Sequence, residues 1–134
     1  MSLEDLKEIP YGKTAIELKN ISLAFGGVKA LTDVSFEVKK GEVFAIIGPN
    51  GAGKSSMLNV INGFYKPTSG TINFAGIDRN EMEPELAAKS GIARTFQNIA
   101  LFKGMSTLDN LMTGRMLLGH GILRPESCVS IKKA

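Results

Sequence analysis

The chain has 134 residues, 43% hydrophobic and 22% charged, the balance of an ordinary globular protein with room for one domain or part of one. Its net charge of +3 comes from basic residues scattered along the sequence; with no concentrated patch or stripe, this argues against nucleic acid as a partner. No uncharged apolar run approaches the roughly 20 residues that span a bilayer, and a single cysteine, Cys128, beside a single histidine, His120, permits no internal disulfide and offers too few soft ligands for zinc.

Residues 1–13 form a polar extension without the apolar stretch of a secretory signal. Thr14–Lys19 alternates Ile16 and Leu18 with polar neighbours, and Val34, Phe36 and Val38 alternate with Ser35, Glu37 and Lys39. A period of two is that of a half-buried strand. Lys40-Gly41 then makes a turn. Val43–Ile47 holds no polar residue, which predicts a strand covered on both faces, as in a parallel sheet. From about Gly53 a helix carries Met57, Leu58, Val60, Ile61 and Phe64, apolar over much of its surface and so expected to be buried.

Pro67–Gly70 breaks the chain, and Thr71–Phe74 starts another short strand before a turn at Gly76. Glu81–Lys89 predicts a short surface helix and Ile92–Phe96 a strand. A further helix begins near Ser106, an N-cap with Asp109 as its capping-box partner. That helix sets Leu108, Leu111, Met112 and Met116 near helical spacing, as core packing. Beyond Leu118 the periodicity ends. Residues 119–134 predict an irregular tail, with Lys132 and Lys133 solvated.

Gly48-Pro49-Asn50-Gly51-Ala52-Gly53-Lys54-Ser55 satisfies the phosphate-loop pattern G-x-x-x-x-G-K-[ST]. The pattern demands a strand running in and a helix running out, and both are predicted here. The glycines let the backbone curl so that successive N–H groups, those of Asn50, Gly51, Ala52 and Gly53 among them, point at phosphate oxygens. The helix after the loop adds the positive end of its dipole, with Lys54, Ser55 and Ser56 in its first turn. Lys54 supplies a mobile point charge for the β- and γ-phosphates and Ser55 a hydroxyl ligand for Mg²⁺. The expected ligand is ATP with Mg²⁺.

Three segments narrow the class. Ile16–Ser55 (IELKNISLAFGGVKALTDVSFEVKKGEVFAIIGPNGAGKS), Thr68–Phe74 (TSGTINF) and Ala93–Leu111 (ARTFQNIALFKGMSTLDNL) together resemble the opening of an ABC-transporter ATP-binding domain, in family order and spacing. The stretch ARTFQNIALF is similar to the branched-chain amino-acid importer subfamily. The resemblance implies an α/β fold: a P-loop NTPase, here a partial ABC nucleotide-binding domain with an N-terminal antiparallel β subdomain and an incomplete parallel core sheet. It implies that Phe25 stacks on adenine with Val28 beside the ribose; the other reading of Phe25 is a core residue at a strand end. Gln97 would reach the Mg²⁺ and the attacking water as the one catalytic-site group, and its loop would couple to a transmembrane permease subunit; otherwise it is a plain surface glutamine.

The family's LSGGQ signature, its apolar strand ending in Asp-Glu and its switch histidine do not occur in the chain. The expected organisation is therefore residues 1–13 as an extension, 14–118 as the partial ATP-binding domain and 119–134 as tail. Two functional readings stand side by side. One is the N-terminal part of an ATPase subunit that drives solute import from the inner face of the cell membrane, paired with a second ATP-binding subunit in the complete protein. The other is a nucleotide-binding module without ATPase activity of its own. A P-loop kinase or GTPase is disfavoured by the antiparallel strands before the loop and by TFQN.

Overall fold

The computed structural model describes residues 9–95 and 101–113, together with the backbone of 130–133. Strands β1 (Thr14–Phe25) and β2 (Val28–Lys39) form a long antiparallel hairpin. Gly26 and Gly27 join them with φ of 51° and 89°, the pair of positive values that a two-residue turn requires if it is to match the strand twist. Ile16, Leu18, Ile21 and Leu23 of β1 are all buried, although strict alternation would turn the second pair away from the first. The register shift between Leu18 and Ile21, with Asn20 at a φ of 53°, resolves this. One irregular residue changes the parity of the strand and returns Ile21 and Leu23 to the core face.

Strands β3 (Val43–Ile46), β4 (Ser69–Phe74) and β5 (Ile77–Arg79) follow. One sheet has the antiparallel order β2-β1-β4-β5. Strand β3 pairs in parallel with β6 (Ser130–Lys133) in a second, two-stranded sheet. The helices are α1 (Lys54–Ile61), α2 (Pro84–Lys89) and α3 (Thr107–Thr113). Helix α1 places Met57, Val60 and Ile61 in one cluster with Ile16, Leu18, Leu31, Val38, Ile72 and Phe74, so the helix leaving the phosphate loop is packed on the antiparallel sheet. Stacked rings of Phe36 and Phe44, 4.9 Å apart, tie β2 to β3. The loop is thus held between elements fixed on both of its sides.

The strands expected at Thr14–Lys19, Val34–Val38 and Thr71–Phe74 lie inside the observed ones, and the turns at Lys40-Gly41 and Gly76 are where the sequence sets them. The α3 cap is also as expected: Ser106 Oγ accepts from Asp109 N–H at 3.2 Å while Asp109 Oδ2 accepts from Ser106 N–H at 3.3 Å. Pro84 starts α2 at its first turn, where a missing N–H is harmless.

Other expectations are corrected. Strand β3 is not covered on both faces among the described residues: Val43 is 70% exposed and Ile47 80%, while Phe44 and Ile46 are half-buried. Covering a parallel strand twice takes packing layers on both sides, and the layer described here packs on one side only. Leu108, Leu111 and Met112 are exposed rather than core, because no described element covers α3; Met116 lies outside the described residues. Phe64 falls beyond the end of α1 and is exposed. Ile92–Thr95 is in no strand, and Phe96 is outside the described residues. In the tail, Ser130–Lys133 is a strand, with Lys132 opposite Ala45 and Lys133 opposite Ile46. The edge of β3 offers unpaired N–H and C=O groups, and pairing satisfies them.

Candidate nucleotide-binding site

Between β3 and α1 the chain turns back over seven loop residues, 47–53. Gly51 and Gly53 adopt left-handed φ of 85° and 84°, a conformation that side-chain-bearing residues rarely take. Gly53 has a second reason to be glycine. A Cβ there would lie 2.5 Å from the carbonyl oxygen of Ala30 and 2.7 Å from Leu31 Cδ2, so the end of the loop is pressed against β2. Ala52 N–H donates to Pro49 O at 3.2 Å, which closes the middle of the loop into a turn.

Lys54 is only 7% exposed. Its Nζ donates to the carbonyls of Gly48 at 2.6 Å and Pro49 at 2.7 Å. The mobile point charge expected from the sequence is thus an anchored one. An ammonium group has three donors, and two of them fasten the exit of the loop to its entry. The loop is in this way closed by its own lysine.

Helix α1 has Gly53 as N-cap, no side-chain cap bond and no acidic residue in its first turn. Its first turn closes with Met57 N–H on Gly53 O at 2.8 Å. The dipole of the helix and the charge of Lys54 therefore act together with no carboxylate in the first turn to offset them, which is the electrostatics of an anion site. A cleft of about 190 Å³ sits here, lined by Ala30, Asn50, Gly51, Gly53, Lys54, Ser55 and Ser56. That is small beside the roughly 300–1,000 Å³ of whole-ligand pockets. It suits a polyphosphate, with the rest of a nucleotide lying outside.

The cleft brings together Asn50, Gly51, Gly53, Lys54, Ser55 and Ser56 of the sequence-predicted set. Ala52 shapes the loop without lining it. Phe25 and Val28 face each other at the closed end of the β1–β2 hairpin and do not line the cleft. Phe25 is 46% exposed, and its ring meets Tyr65 edge-on at 4.9 Å. Gln97 lies outside the described residues. Sequence reasoning missed Ala30, the one lining residue from β2, and Tyr65. The only trace of Ala30 in the sequence is its small side chain, which carries no motif.

A divalent metal fits this site only in company. Among the described residues there is no group of three or more His, Cys, Asp or Glu. Mg²⁺ is ordinarily held by one or two carboxylates plus substrate phosphates and water; the described lining of the cleft has no carboxylate and offers the hydroxyls of Ser55 and Ser56.

Comparisons with known proteins agree in kind. The profile described as ABC transporter matches residues 31–133. The high-affinity branched-chain amino acid transport ATP-binding protein BraF of Pseudomonas aeruginosa is 38% identical over 100 residues, covering 75% of this chain and 39% of its own length. The ribose import ATP-binding protein RbsA of Bacillus licheniformis is 42% identical over 102 residues, covering 76% of this chain and 21% of its own. A crystal structure of the ADP conformation of MJ1267, an ATP-binding cassette of an ABC transporter, superposes with a TM-score of 0.62 at 37% identity, over 75% of this chain and 46% of that one. The matched part of the chain thus spans less than half the length of each of these proteins.

Proposed function

The chain belongs to the ABC transporter family, and on that premise we propose that it is the N-terminal part of the ATP-binding subunit of a solute importer. The observation that carries the reading is the anchored Lys54 in a cleft whose described lining has no carboxylate. Lys54 holds the β- and γ-phosphates, the backbone N–H groups of the loop and of α1 surround them, and the Ser55 hydroxyl takes one position on Mg²⁺. When bound, the metal supplies charge neutralisation on the phosphate oxygens. Phe25 lies against the adenine and Val28 near the ribose, outside the small cleft. Gln97 approaches the metal from the segment after Arg94, and that loop meets a transmembrane permease subunit at the inner face of the membrane. A second ATP-binding subunit completes the site.

The solute in this proposal is a branched-chain amino acid, on the strength of the stretch Ala93–Phe102 and of relatives such as BraF. The experiment on the site is calorimetric titration with ATP, ADP and AMP, each with Mg²⁺. Affinity falling in that order, with AMP not bound, supports a polyphosphate cleft; equal binding of AMP and ATP overturns it. For the solute, leucine and ribose uptake are compared in cells with and without the gene. Loss of ribose uptake alone rejects the branched-chain assignment.

A second reading has one observation in its favour. No carboxylate lines the cleft, so among the described residues nothing there can take a proton from water. The 134-residue chain then acts as a nucleotide-binding module, with hydrolysis dependent on groups it does not bring to the cleft itself.

A further inference from the structure

Strand β1 outruns its neighbour β4. The last β1 residue paired with β4 is Ser22, opposite Ser69, yet β1 continues to Phe25. Ala24 and Phe25 pair with Lys29 and Val28 across the hairpin, and on their other edge they meet no strand among the described residues. The link between α1 and β4, residues 62–68, stands in for one. Thr68 N–H donates to Ser22 O at 2.8 Å, and Thr68 Oγ1 accepts from Ala24 N–H at 3.1 Å, so the strand end keeps a hydrogen-bond partner. Beside this contact the rings of Tyr65 and Phe25 meet with centroids 4.9 Å apart and planes at 74°. Whichever ring supplies the edge, such a pair leaves at least one face of Phe25 uncovered by Tyr65, and Phe25 is 46% exposed.

Tyr65 is itself held in place. The N–H groups of Phe64 and Tyr65 both donate to Asn59 O of α1, at 2.8 and 3.1 Å, and Tyr65 packs half-buried against the core cluster. Helix α1 has eight residues, about 12 Å at 1.5 Å per residue. It opens at the phosphate cleft and ends in the link that carries Tyr65. We propose that Tyr65 is a positioning residue for a nucleobase: it holds the Phe25 ring so that an open face receives the base, at a span from the phosphate cleft set by α1. An unbacked phenylalanine at an exposed strand end samples several rotamers, and fixing one on binding costs entropy. A ring fixed beforehand by an aromatic neighbour avoids that cost. Tyr65 does not line the cleft and acts through Phe25, by its ring rather than its hydroxyl. The inference rests on the proposed stacking of Phe25 and adds what orients that ring.

The test is calorimetric titration of the 134-residue chain with ATP and with inorganic triphosphate, in the parent and in Tyr65→Ala, Tyr65→Phe, Phe25→Ala and the double variant Phe25→Ala/Tyr65→Ala. Tyr65→Ala lowers ATP affinity about two- to fourfold, within the range of one aromatic pair, and leaves triphosphate affinity unchanged. Tyr65→Phe keeps the ring and binds both ligands as the parent does. The double variant binds ATP no more weakly than Phe25→Ala, because Tyr65 has nothing to orient once Phe25 is gone. ATP affinity unchanged in Tyr65→Ala overturns the inference and leaves the site standing. Equal loss of ATP and triphosphate in Tyr65→Ala marks a merely structural residue and overturns it too, as does an additive loss in the double variant. Phe25→Ala weakening both ligands equally overturns the stacking reading, and the inference with it.

Discussion

The Nζ of Lys54 lies 2.6 Å from the carbonyl oxygen of Gly48, so the lysine at the end of the phosphate loop is hydrogen-bonded to the glycine that begins it. This makes the residue a brace, in addition to the phosphate contact proposed for it. Lys54→Ala removes both, and ATP affinity should fall at least tenfold. A hydrogen bond to a charged group contributes about 1.5–3 kcal/mol, and about 1.4 kcal/mol is a factor of ten. Titration with a fluorescent ATP analogue reads the first effect. Faster proteolytic cleavage within residues 48–53 reads the second. Unchanged affinity would remove the basis for the phosphate-loop reading.

Gly51 and Gly53 share a left-handed backbone but not a neighbourhood. An added Cβ at Gly51 meets nothing within 4 Å, whereas at Gly53 it meets the Ala30 carbonyl at 2.5 Å. A strained backbone of this kind costs about 1–3 kcal/mol. Gly51→Ala should therefore show the strain alone, and Gly53→Ala a larger loss, since the Ala30 backbone must also shift. Urea denaturation of the two variants gives the comparison. Equal midpoints would mean that the loop end is not pressed against β2.

Phe25 is backed edge-on by Tyr65 and remains about half exposed, an arrangement that can hold an aromatic ring ready for a base. Phe25→Ala should weaken ATP binding about fivefold or more while leaving inorganic triphosphate unaffected, as stacking contributes about 1–3 kcal/mol per base. Tyr65→Ala should move affinity in the same direction by less. If ATP and triphosphate weaken together in Phe25→Ala, the ring is packing rather than stacking.

The purified 134-residue chain should bind Mg-ATP and release phosphate no faster than its Lys54→Ala variant. Among the described residues no carboxylate lines the cleft, Gln97 is neutral and cannot take a proton, and general-base catalysis alone typically contributes about 10²–10⁴-fold. Phosphate release near one per second, abolished in Lys54→Ala, would show a base that the cleft lining does not contain.

Much of this protein was legible along the chain because the relevant chemistry is contiguous. The phosphate loop is eight consecutive residues whose glycines and lysine state their own geometry, and the Ser106–Asp109 cap spans a single helical turn. The hairpin strands announced themselves by alternation, although the change of parity at Asn20 hid the continuity of β1 through Phe25. Burial was read less well. Val43 and Ile47 look like core in sequence, as do Leu108 and Leu111, and all four are exposed. Apolar character states what a side chain would gain from cover, not whether a covering element is present.

The sequence by itself determined the local conformations: where the backbone must turn left-handed, where a helix can start, and which lysine stands next to the glycine-rich turn. Tertiary structure alone decided that Ala30 walls the cleft, that Lys54 is buried and spends two donors on its own loop, and that Arg94 reaches back to Asn59 across 35 residues. The physical reason is range. Dihedral preferences and capping bonds act within a few residues. Packing and side-chain hydrogen bonds instead join residues whose proximity depends on how the hairpin, α1 and the chain after α2 fold against one another.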